Sequence, residues 1–64
     1  MKYITCYTQR DVIVLKDIAS ENLGWIKKVS GVKGKYTRFS LHSLNPKYVD
    51  DIYFEFLKWK KTEK

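Results

Sequence analysis

Apolar and polar positions along this chain divide it into several short β-type segments and one longer helical one. Residues 2–8, KYITCYT, are rich in β-branched and aromatic side chains and carry no stripe of helical period, which predicts a strand. After the polar QRD, the run VIVLK from Val12 predicts a second strand that closes a hairpin with the first. Ser20, Glu21, Asn22 and Gly24 then break the pattern and predict a loop or a single helical turn. WIKKV from Trp25 predicts a third strand and the alternating YTRFSL from Tyr36 a fourth. Between them, Gly31 and Gly34 in SGVKGK supply the positive φ values that a hairpin loop needs.

The last segment begins at Asn45-Pro46. Val49, Ile52, Tyr53, Phe56 and the stem of Lys60 fall on one helical face. Asn45 can cap, Pro46 suits the first helical position, Asp50 and Asp51 lie toward the positive end, and Lys58, Lys60 and Lys61 lie at the negative end. As a strand, the same residues alternate poorly, because Tyr53 and Leu57 are apolar as well. The expected architecture is therefore α+β: a small four-stranded antiparallel sheet of two hairpins, with one C-terminal amphipathic helix packed on one face. Its expected core is Ile4, Cys6, Ile13, Leu15, Ile26, Phe39 and Leu41 from strands, with Val49, Ile52 and Phe56 from the helix.

Length narrows the possibilities. Residues 1–64 make a single small basic domain with a marginal core and no room for a deep cleft. The single Cys6 excludes an internal disulfide, and one Cys with one His cannot complete a zinc site of the usual ligands. No cofactor is expected. No apolar run of signal-peptide or membrane-span type is present, so a cytoplasmic location without a membrane partner is the expectation.

Charge adds the first functional hint. The formal net charge is +6, which favours acidic partners, nucleic acid first. Between Glu21 and Asp50 there is no acidic residue, whereas Lys27, Lys28, Lys33, Lys35, Arg38 and Lys47 all fall there. Strand alternation then sends Tyr3, Thr5 and Tyr7, Trp25, Lys27 and Val29, and Tyr36, Arg38 and Ser40 outward on one surface. Rings can stack on bases while cations neutralise phosphates. The candidate nucleic-acid-binding set is Tyr3, Tyr7, Trp25, Lys27, Lys28, Lys33, Lys35, Tyr36 and Arg38, with DNA expected ahead of RNA. The alternative is a protein-interaction module: a homodimer, or an inhibitor of an acidic protein.

Enzymatic chemistry is not expected. Catalytic motifs with recognisable spacing are missing: there is no HExxH, no phosphate loop and no pair of carboxylates flanking a pocket. His42 reads as a surface or rim residue.

One family likeness remains. DVIVLKD, WIKKV and FSLHSLNPKY, in that order over residues 11–48, resemble the second half of the LexA/lambda-type repressor C-terminal domain, with SLNPKY the most specific piece. The resemblance implies that Lys27 stands where that family keeps the general base of a Ser–Lys dyad. The family's serine has no counterpart, since Ser20, the sole serine before Lys27, lies in ASEN. What the resemblance implies is a non-cleaving regulatory protein of a phage or mobile element, able to dimerise or engage a repressor. It also implies a strand at IYFEFLKWK, against the helix expected from periodicity.

Overall fold

The computed structural model describes residues 2–62. Along them run strand β1 (Tyr3–Cys6), helix α1 (Gln9–Glu21), strand β2 (Gly24–Val32), strand β3 (Tyr36–Ser43) and helix α2 (Pro46–Thr62). The fold is α+β with an antiparallel sheet, but it has three strands and two helices where four strands and one helix were expected. The expected second strand from Val12 lies inside α1, so the expected first hairpin does not form.

Local chemistry explains α1. The Thr8 hydroxyl accepts the Asp11 N–H at 3.1 Å, and the Asp11 carboxylate accepts the Thr8 N–H at 3.3 Å, a reciprocal cap that satisfies two otherwise orphaned donors. From there Asp11, Leu15 and Ala19 recur every four residues and are buried, with Val12 and Ile18 packed beside them. The β-branched run at 12–14 has strand propensity, yet burying this stripe decides the outcome. Ile13, expected in the core, is instead 57% exposed on the solvent side of the helix. The helix ends at Asn22, followed by Leu23 at φ 57, a left-handed position where glycine is commoner.

In the sheet the order is β1-β3-β2, with β3 antiparallel to both neighbours. Strands β1 and β2 are thus parallel to each other, and α1 makes the crossover between them. The β2–β3 hairpin closes with the Lys35 N–H donating to the Val32 carbonyl at 2.9 Å and Gly34 at φ 81, the value a type II turn demands at its third residue.

Helix α2 starts as the sequence predicts. The Asn45 side-chain carbonyl accepts the Lys47 N–H at 3.0 Å, and Pro46 is the first helical residue. Lys60 and Lys61 occupy the last turn, but Asp50 and Asp51 fall in the second turn, leaving the first without an acid. Ile52 and Phe56 are buried, with Val49 and Tyr53 packed against the same core. The helix occupies the residues for which the repressor likeness implies a strand.

Both helices cover the same side of the sheet. There Ile4, Cys6, Phe39 and Leu41 meet Leu15, Ala19, Ile52 and Phe56 in one cluster, with Ile26 at its margin. At the cluster's edge, Lys60 of α2 reaches the buried Asp11 of α1 at 2.8 Å. No helix among the described residues is long and apolar enough to cross a membrane.

Gly24 sets the spacing between the layers. A Cβ there would collide with the His42 carbonyl oxygen and come within 2.9 Å of Ile52 Cδ1. Gly24→Ala is expected to lower stability by about 1–3 kcal/mol through overpacking, read as a lower urea midpoint.

Candidate nucleic-acid interface

With both helices behind the sheet, its other face is open, and the register orders that face in rows. Trp25 pairs with His42; Tyr3, Ser40 and Lys27 form the next row; Thr5, Arg38 and Ser30 the third; Val32 and Tyr36 the last. Residues directly opposite across a ladder share a face. The expected outward positions Tyr3, Thr5, Trp25, Lys27, Tyr36, Arg38 and Ser40 therefore all lie here. Val29 falls in an irregularity of register between Lys28 and Ser30, a bulge that bends the β2 edge.

Four expected residues lie elsewhere. Lys28 pairs with Phe39, which puts it on the helix-side face, where it stays exposed beyond the helices. Lys33 and Lys35 are in the hairpin turn. Tyr7 follows β1 and is 65% exposed. Together with Thr8, Val12, Lys35 and Tyr36 it lines a depression of about 400 Å³ at the hairpin end. Tyr7 and Lys35 thus border the face without lying on it.

Ring contacts organise the open surface. Trp25 stacks on His42 with centroids 5.6 Å apart and planes within 11°. The Arg38 guanidinium lies 4.8 Å from the Tyr3 ring centre, a cation–π contact that orients both groups. Trp25, Tyr3 and Tyr36 remain 51%, 39% and 37% exposed, leaving ring surface for a ligand. At the Trp25 end a second depression, of about 580 Å³, is lined by Lys2, Trp25, His42, Pro46, Val49 and Asp50 among others.

Ser40 and His42 form the most chemically suggestive pair, with Oγ and Nε2 2.8 Å apart. The Ser40 hydroxyl also donates to the Lys27 carbonyl at 3.3 Å. Both bonds are made when His42 carries its proton on Nε2 and donates into Oγ. A hydroxyl so engaged, and only 2% exposed, fixes the imidazole beneath Trp25. His42 was missed as a member of this face. The signal was available, because positions 38, 40 and 42 alternate on one side of a strand.

Cys6 has little reactivity to offer. Burial, reinforced by the nearby Asp11 charge and partly offset by Lys60, pushes its thiol up to about 11, so it stays protonated at neutral pH. Among the described residues, no three His, Cys, Asp or Glu side chains converge as metal ligands would.

Charge separates by layer. Every described acidic residue, Asp11, Asp17, Glu21, Asp50, Asp51 and Glu55, is on a helix, whereas the sheet and its hairpin carry Lys27, Lys28, Lys33, Lys35 and Arg38 with no carboxylate. No protein-family model, curated protein or solved structure matches the chain.

Proposed function

We propose that this protein binds nucleic acid through the open face of its sheet, as a non-catalytic binding module. One observation carries this: a solvent-facing surface that joins three exposed rings, Trp25, Tyr3 and Tyr36, to cations and contains no carboxylate. Lys27 and Arg38 would contact phosphates from the face itself, and Lys33 and Lys35 from the hairpin beside it. The rings would supply stacking, and the described acids lie in the helix layer behind the sheet, the one beside the Trp25 end, Asp50, being paired with Lys2. Titration with DNA and RNA, single- and double-stranded, over a salt series tests the proposal. Four to five phosphate contacts give a slope of log K against log[salt] of about −3 to −4.5. Undetectable binding to every one of these ligands at 50 mM salt would reject it.

A second reading, a protein partner or a second copy of the chain, is favoured by the nine-residue β2. Among the described residues it pairs only with β3, and Val29 and Val32 are exposed along it. Its bulge and flanking lysines count against strand addition at that edge. A tight dimer in sedimentation, with nucleic acid failing to bind, would favour this second reading.

A further inference from the structure

We infer, building on the nucleic-acid reading, that the ligand is a single strand, held across a footprint of about three to six nucleotides. Three features of the face support this. The first is the exposed aromatic surface of Trp25, Tyr3 and Tyr36. Such rings are useful to a base only when that base is unstacked from its neighbours, which a duplex does not offer at its surface.

The second is width. Three strands at about 4.8 Å spacing set the outer backbones roughly 10 Å apart before side chains are added, whereas a major groove of about 12 Å admits a helix or a two-stranded ribbon. Neither helix belongs to this face, since both pack behind the sheet. Where β3 outruns β1 toward the hairpin, only the Val32–Tyr36 pair lies beyond the last β1 pairing, Cys6 with Thr37. That is too short a ribbon to read a groove.

The third is length. The aromatic positions occur at His42 with Trp25, at Ser40 to Arg38 with Tyr3, and at Tyr36. Six residue steps along β3 cover about 20 Å. The roughly 3.4 Å rise of a fully stacked strand caps the footprint at about six nucleotides over that distance, and a strand opened to meet each ring separately would place about three.

Fluorescence anisotropy with labelled oligomers of two to twelve nucleotides, as DNA and as RNA, tests this against duplexes of the same lengths. Single strands should bind at least about tenfold more tightly than duplexes, and affinity per strand should level off near six nucleotides. Trp25→Ala and Tyr3→Ala should each lower single-strand affinity by about five- to a hundredfold, while leaving the circular dichroism spectrum unchanged because both rings are partly exposed. Duplex binding equal to or tighter than single-strand binding would overturn the inference and leave the nucleic-acid reading standing. Affinity that climbs steadily to twelve nucleotides, or ignores both ring substitutions, would overturn the bounded stacking platform in the same way. Absence of binding to any oligomer would remove the nucleic-acid reading itself.

Discussion

Asp11→Ala is expected to lower folding stability by about 2–4 kcal/mol, because it removes the capping box and leaves two backbone N–H groups without their charged acceptor, while its half-exposed partner Lys60 can turn to water. Asp11 is fully buried, yet it accepts the Tyr7 N–H at 3.0 Å, the Thr8 N–H at 3.3 Å and the Lys60 ammonium at 2.8 Å. One side chain therefore joins the end of β1, the start of α1 and the last turn of α2. A domain of this length has a total stability of about 3–10 kcal/mol, so the variant sits near the limit of folding. Lys60→Met should also destabilise, because it leaves the buried Asp11 carboxylate held by two backbone N–H groups alone, and the double variant should cost less than the two singles combined.

The pH dependence has a definite sign. Burial alone would raise the Asp11 pKa, but the bond to Lys60, the Tyr7 N–H, the Lys60 charge and the Thr8 N–H outweigh it, and the net result is lower than the ordinary value of 3.8. The stabilisation is therefore complete above the unfolded value of about 3.9 and is lost as pH falls through the lower folded one. Urea midpoints measured from pH 7 down to pH 2 should fall below about pH 4 in the wild type. Asp11→Asn should lose that acid-dependent component; an unchanged acid limb in this variant would show that Asp11 does not set it.

Asp11 also marks where the sequence was legible and where it was not. Helix α2 could be read because cap, first-position proline, apolar face and basic last turn agree, and even Lys60 belongs to the expected face. Helix α1 could not be read from Val12–Leu15 alone, where β-branched residues mimic a strand. Its evidence lay in the Thr8-x-x-Asp11 cap and the 11–15–19 stripe, and a buried aspartate disguised that stripe as polar. The open face survived this error. Its phase depends on alternation within β1, β2 and β3, each of which was expected as a strand, although β2 runs on through Ser30, Gly31 and Val32, which were expected in the hairpin loop. Lys28 falls on the helix side by plain alternation after Lys27, whereas the bulge beyond it takes Val29 off the face and puts Ser30 there instead. Strand order was not legible, since pairing β1 with β3 depends on a crossover that only the helix makes possible.

Two charge reversals separate a specific face from mere basicity. Arg38→Glu and Lys58→Glu change the net charge by the same amount, but Arg38 lies on the open face over Tyr3 and Lys58 is exposed on α2 in the opposite layer. If only net charge attracted the nucleic acid, the two variants would weaken binding alike. A face-specific contact behaves differently. With log K changing by about 0.9 per phosphate contact per tenfold salt, one contact at 50 mM is worth about a factor of 15 relative to 1 M. Reversing the charge removes that contact and adds a repulsion, so Arg38→Glu should weaken binding on the order of a hundredfold at 50 mM and reduce the salt slope by about one to two. Lys58→Glu should weaken binding at least about tenfold less than Arg38→Glu, and the gap should widen at about 0.1 M salt, where a charge in the other layer is screened beyond a Debye length of roughly 10 Å. Both side chains are exposed, so neither variant should unfold, and matching thermal melts would confirm it. Equal losses in the two variants would leave a basic protein without a binding face. A loss confined to Arg38→Glu would place the phosphates on the sheet, where strand alternation sets Lys27 and Arg38 among the rings.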